Sequence, residues 1–206
     1  MRKNSILLFA FLAISVLANG QELEIVDGDY TYTKVIESNK TKSEIYSTLK
    51  KWLNNVAVKS KFVIDQDDPD TGILSFNEAL PTMEYDFLTT ARTSYKVNIE
   101  IKDKKVRYIV NNIVLNKEFK QISIPEIKQP YNSLLKDIEA ENEKYTLNKN
   151  LMDQESKPRL KKKLETEFLN ARNNLRSLNE INEMIKIQII SNENVIKEKI
   201  NQSDDW

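Results

Sequence analysis

Asp65, Asp67, Asp68 and Asp70 crowd into one short stretch of the chain, and carboxylates gathered in one loop are the raw material of a calcium site. An EF-hand loop places its acids at alternate positions, follows them with glycine and closes on a distal glutamate. Here Pro69 occupies the third ligand position and Gly72 arrives too late, so the segment reads more simply as a solvated turn built by Asp, Pro and Gly. Asp65, Asp67 and Asp70 are weak metal candidates, and no metal or cofactor is expected. A second charged group, Lys102, Lys104, Lys105 and Arg107, falls at a hairpin tip. Such a patch either meets an acidic partner or keeps a turn and an edge strand soluble and unpaired. Tyr85, Tyr95 and Tyr108 would line a pocket or, as strand tyrosines more often do, pack in the sheet.

The composition removes whole chemistries. With His 0 and Cys 0 there is no Ser–His or Cys–His nucleophile and no imidazole or thiolate metal ligand. Ser-x-x-Lys occurs at Ser47-Thr48-Leu49-Lys50 and at Ser133-Leu134-Leu135-Lys136. Both lie in predicted helices and lack the companion motifs that a serine nucleophile needs. No Gly-x-Ser-x-Gly is present. No catalytic residue is assigned, and a carboxylate-dependent hydrolase is the one enzymatic reading left. Lys+Arg 31 balances Asp+Glu 31, which argues against nucleic acid or an anionic membrane as partner.

The first twenty residues predict export. Arg2 and Lys3 precede an apolar run over residues 6–17, and Ala18-Asn19-Gly20 supplies small residues where a signal peptidase cuts. The run is too short for a permanent anchor of about 20 residues. Cleavage after Gly20 is expected, giving a periplasmic or extracellular chain beginning at Gln21. No later segment is apolar enough to span a membrane.

Positioning falls to two unlike halves. Residues 30–36 predict a strand with Tyr30, Tyr32 and Ile36 on one face and Lys34 intruding. Thr41 and Glu44 form a capping box, and Ile45, Leu49, Trp52, Leu53 and Val56 then recur at helical spacing. Phe62, Val63 and Ile64 predict a strand, Ile73, Leu74 and Phe76 its return. The clearest strand is residues 94–102, where Tyr95, Val97, Ile99 and Ile101 alternate with polar residues. Asp103-Lys104 turns it back into Val106, Tyr108 and Val110. One apolar and one polar face imply a sheet covered on one side and wet on the other. The fold class is α+β, a two-layer sandwich in the order β-α-β-β-β-β-α, followed by a long helical, coiled-coil-like C-terminal tail.

Lys42-Ser43-Glu44-Ile45-Tyr46 with Trp52-Leu53, Val63-Ile64-Asp65 ending at Thr71-Gly72, and the hairpin from Tyr95-Lys96-Val97 to Arg107-Tyr108 together resemble a family of bacterial exported proteins. That family is a domain of unknown function with a TBP-like fold. The resemblance covers about residues 32–120 and none of the tail. The family hairpin turns on an Asp-Gly pair, and Lys104 replaces that glycine here. The resemblance implies a TBP-like antiparallel sheet with helices, and brings no activity, catalytic residue or ligand. A nucleic-acid saddle needs broad positive charge and wedging aromatics, which this sequence does not offer.

The expected organisation is a signal peptide at 1–20, the α+β domain at 21–125 and a helical tail at 126–206, broken near 156–158 where Ser156 caps and Pro158 starts a new helix. In the second tail helix Leu164, Phe168, Ala171, Leu175, Leu178, Asn182, Ile185, Ile189, Asn192 and Ile196 step by four and three along one seam. The first has Tyr131, Leu134, Ile138, Tyr145 and Met152 on a similar stripe. The first is expected to cover the sheet, and the second to pair with it as an antiparallel hairpin or to self-associate. Arg159, Lys161, Lys162 and Lys163 oppose the macrodipole at a helix start. The function these features favour is an exported non-catalytic module that contacts a protein partner, unidentified, through the open sheet face or the tail. The alternative is a carrier of a small ligand between sheet and helices.

Overall fold

The strict alternation at residues 94–102 belongs to a longer strand. In the computed structural model, which describes residues 23–26, 29–60, 64–86, 89–119 and 127–202, β6 runs over Thr89–Lys102 and β7 over Lys105–Phe119. Ala91, Tyr95, Val97, Ile99 and Ile101 turn into the core from β6, joined by Val106, Tyr108 and Val110 from β7. The period of two breaks at Asn111-Asn112, where the register shifts opposite Ser94 and Lys96. Asn112 takes a φ of 51°, the left-handed conformation that asparagine tolerates better than most residues. One extra residue in β7 then keeps Ile113 and Leu115 on the buried face.

Around this hairpin, β1 (Glu24–Val26), β2 (Asp29–Glu37), β3 (Ile64–Asp68) and β4 (Ile73–Ala79) complete an antiparallel sheet in the order β1-β2-β7-β6-β4-β3. The short β5 (Met83–Glu84) pairs with β6, and β8 (Ile127–Pro130) with β7. Three helices are described: α1 (Lys42–Ser60), α2 (Tyr131–Gln154) and α3 (Pro158–Asn201). The predicted α+β class and the order β2-α1-β3-β4-β6-β7-α2 hold, with β1, β5 and β8 as additions. Of the strand predicted from Phe62, only Ile64 onward is described.

Helix α1 begins as predicted. The Thr41 N–H donates to Glu44 Oε2 at 2.7 Å and the Glu44 N–H to Thr41 Oγ1 at 3.4 Å. Asp103, in the β6–β7 turn, accepts the Lys42 N–H at 2.8 Å, satisfying another first-turn donor from across the fold. Ile45, Leu49 and Leu53 are fully buried beneath α1, and Trp52 meets Phe76 edge-on at 6.4 Å.

The tail departs from expectation in three places. Residues 127–130 are strand, not helix, because Pro130 disfavours helical backbone at Gln129, and α2 starts only at Tyr131. Pro158 does open α3, but its cap residue is Lys157 rather than Ser156, and no side chain caps it. The first tail helix meets the sheet as expected, but the second supplies most of the cover. α2 gives the core cluster only Tyr131 and Leu134, whereas α3 gives it Leu178, Ile181, Ile185, Ile189, Ile196 and Ile200. The longer amphipathic stripe buries more apolar area, so it takes the sheet. The hairpin itself is antiparallel: Tyr131 meets Asn182 at its base, and Tyr145 stacks on Phe168 at 5.0 Å further out.

Candidate functional site

Since α1, α2 and α3 all pack on the face that carries Tyr32, Tyr95 and Tyr108, no described helix covers the opposite face. The register sets Val35 beside Arg107 and Arg107 beside Glu100, with Lys105 beside Lys102 in the next row. These five residues line a cleft of about 250 Å³. Val35 is half exposed at its floor. The Arg107 Nε donates to Glu100 Oε2 at 2.8 Å, and a second guanidinium nitrogen reaches the same oxygen.

The tip beside this cleft is tied down on several sides. The Lys104 N–H donates to the Lys40 carbonyl at 3.0 Å and the Ser38 N–H to the Lys104 carbonyl at 2.8 Å. Lys42 Nζ donates to the Asp70 carbonyl at 2.6 Å. The Ile101 N–H reaches the Gly72 carbonyl at 2.7 Å. Lys102 and Lys105 thus stand on a corner held by α1, both turns and β2. Of the predicted basic patch, Lys102, Lys105 and Arg107 are brought together, while Lys104 occupies the turn with a φ of 64°. Side by side on a wet, partly apolar surface, these groups can hold carboxylates of an extended segment.

The aspartate group is divided. Asp65 accepts from Lys96 Nζ at 2.5 Å and Ser75 Oγ at 3.4 Å on the open face. Asp67, facing α1, accepts from the Tyr46 hydroxyl and pairs with Lys50 at 2.6 Å. Asp68 Oδ1 accepts the Asp70 and Thr71 N–H groups at 3.0 and 3.1 Å, which is turn chemistry. Among the described residues no group of three or more acids could hold a metal ion. Lys96 holds the Asp65 carboxyl below its ordinary value, Lys50 and then Tyr46 do so for Asp67, and Thr71 for Asp68. Carboxyls kept ionised in this way are ill-suited to donate a proton.

The tyrosines are core. Tyr95 donates to Glu78 at 2.9 Å, and Glu78 also accepts from Asn192 at 2.6 Å and from Gln188 at 3.2 Å. Tyr108 donates to the Ile189 carbonyl at 3.2 Å, and Tyr32 to Glu193. Tyr85 donates to Asp137, its ring under the Lys117 ammonium at 3.5 Å. Burial, aided by the neighbouring acids, raises the hydroxyl pKa of Tyr32, Tyr85, Tyr95 and Tyr108. Lys50, from the first Ser-x-x-Lys, is the ion-pair partner of Asp67. Arg159, Lys161, Lys162 and Lys163 are exposed at the outer end of the helical hairpin.

Val35 and Glu100 escaped the sequence reading because nothing local marks them. They join the basic residues only once β2, β7 and β6 lie side by side. The Tyr–Asn contacts left a trace, since Asn182 and Asn192 stood out as polar members of an apolar seam.

A family model described as a domain of unknown function (DUF4468) with TBP-like fold matches residues 32–116. No curated protein matches the chain. Among solved structures, a TBP-like protein from Parabacteroides distasonis is 14% identical with a TM-score of 0.44, over 52% of this chain and 69% of that one. A DUF4468 family protein from Bacteroides ovatus is 16% identical with a TM-score of 0.42, over 52% of this chain and 64% of its own. Over residues 32–116, then, this α+β chain is similar to the domain of unknown function (DUF4468) with TBP-like fold, and α2 and α3 lie outside that match.

Proposed function

We propose that the chain is an exported, non-catalytic binding module that seats an acidic stretch of a protein partner on the open face of its sheet. The observation that carries this reading is the cleft where Val35, Glu100, Lys102, Lys105 and Arg107 meet. Three cations against one carboxylate leave it cationic, and Val35 adds apolar contact at the floor. The hydrolase alternative draws no support from carboxyls paired with lysines, nor the carrier alternative from a sheet–helix interior filled by tyrosines and isoleucines. Export rests on residues 1–20, which lie outside the described residues. Among the described residues no helix is long and apolar enough to cross a membrane.

A photo-crosslinking residue at position 35, in cells producing the full chain, tests the proposal. An adduct in the envelope fraction is expected, and it should disappear when Lys102→Glu and Lys105→Glu are combined. A control crosslinker at the exposed Asn142 should give no such band. An adduct indifferent to the charge reversal, or none at all, would remove the sheet face from consideration.

A further inference from the structure

We propose that the free end of the α2–α3 hairpin is a docking tip for an anionic lipid surface. Beyond the Tyr145–Phe168 stack, α2 continues to Gln154, about 14 Å of helix at 1.5 Å per residue. α3 returns alongside it from Pro158. Three leucines on these outer turns face water: Leu147 is 57% exposed, Leu151 43% and Leu160 44%. Leu147 and Leu151 are one turn apart on the same side of α2. Lys149, Lys157, Arg159, Lys161, Lys162 and Lys163 lie on the same outer turns, all exposed, against the acids Asp153, Glu155, Glu165 and Glu167, so this end carries a net positive charge. One of these acids is occupied locally, as Glu155 Oε1 accepts the Lys157 N–H at 2.7 Å.

The fold does not explain these cations. Positive charge at a helix start opposes the macrodipole. The ion pair found there, Lys163 with Glu167, spans 3.6 Å between exposed side chains and contributes little. Singly exposed leucines are ordinary, but Leu147 and Leu151 stand side by side and leave one apolar patch bare to water. Both costs are offset where apolar side chains dip below a plane of anionic headgroups and cations stay among them. An acidic protein fits less well, because a stable interface asks for roughly 800 Å² from each side, and the end of two helices is narrow and convex. A bilayer accepts the leucines one at a time. The balanced charge of the whole chain, which argued against an anionic membrane, conceals this local excess. The tip is also separate from the sheet cleft. Ile200, at the far end of α3, accepts from Ser38 at 3.0 Å beside the β6–β7 turn, so the two surfaces lie at opposite ends of a helix about 66 Å long.

Co-sedimentation of the chain from Gln21 onward, which keeps every described residue, with vesicles of phosphatidylglycerol and phosphatidylcholine tests this. Binding is expected to the mixed vesicles and not to pure phosphatidylcholine. Reversing Lys161, Lys162 and Lys163 to Glu should lower partitioning at least about a hundredfold. Leu147→Ser, Leu151→Ser and Leu160→Ser together should lower it about tenfold or more, with circular dichroism unchanged in both variants. The Lys102→Glu, Lys105→Glu variant should bind vesicles as the parent does. Equal binding of zwitterionic vesicles, indifference to the leucine substitutions, or loss in the sheet-face variant overturns the proposal. So does capture of an acidic protein by a tip that ignores lipid.

Discussion

At Lys104 a lysine holds the left-handed backbone that glycine adopts freely, with a φ of 64°. The resemblance to the TBP-like family marks this position too, since a glycine is expected there. Lys104→Gly should therefore stabilise the fold, by about 0.5–1 kcal/mol in urea titration once the glycine's extra unfolded-state entropy is subtracted. The converse holds at Gly72, which has a φ of 77° and where an added Cβ would lie 2.5 Å from the Ile101 carbonyl oxygen. Gly72→Ala should cost about 2 kcal/mol or more by the same measurement. The ionisable groups set both pH limits. Asp65, Asp67 and Asp68 ionise below their ordinary 3.8. Their contribution is present above that value and is lost as pH falls further, so thermal stability should drop below about pH 4. The buried tyrosines work in the opposite direction. Tyr131 is pushed up to about 12 by burial and the nearby Tyr30 and Glu183, and Tyr32, Tyr95 and Tyr108 are raised as well. Raised values stabilise the fold below pH 10 and cease to do so as pH rises. In an alkaline absorbance titration these tyrosines should ionise only together with unfolding. Smooth titration of all eight tyrosines near pH 10 would mean that their hydroxyls reach water.

At the scale of elements, the polar members of the α3 seam act as register marks. Asn192 bonds Glu78 at 2.6 Å and lies 3.4 Å from the Tyr95 hydroxyl, and Asn182 accepts from Tyr131. Both pairings fix one longitudinal position of α3 against the sheet and α2. Asn192→Ala should cost about 1–3 kcal/mol in denaturant unfolding by leaving the half-buried Glu78 carboxylate and the buried Tyr95 hydroxyl poorly matched. A cost near zero would mean that the seam slides. The elements themselves were legible wherever local chemistry decides them. The Thr41–Glu44 box starts α1, period two draws β6, and Pro158 opens α3. What was hidden depends on partners remote in sequence. The β7 strand passes its bulge because Asn112 tolerates the left-handed region, and β8 exists because β7 offers an open ladder. The cleft needed three strands in register before Val35, Arg107 and Glu100 became neighbours. The seam of α3 was visible, but the surface it covers was not, since an apolar stripe does not name its partner.

In the whole molecule, the last helix belongs to the sheet's core rather than to a free tail. Leu178, Ile181, Ile185, Ile189, Ile196 and Ile200 are each at most 2% exposed. Burying one such side chain stabilises by about 1.5–3 kcal/mol, whereas the net stability of a domain is about 5–15 kcal/mol. Losing six together, about 9–18 kcal/mol, removes most or all of that reserve. A chain ending at Gln154 should therefore melt without a cooperative transition, although it contains the whole stretch that resembles the TBP-like family. Covered this way, the sheet keeps one face open, and the hairpin end beyond Tyr145 is left outside the core. Native-state hydrogen exchange on the intact chain tests this arrangement most directly. Amides of residues 178–200 should exchange with the slow, global rate of β6 and β7, and those of residues 147–165 much faster. Rapid exchange across residues 178–200 beside a protected sheet would contradict it.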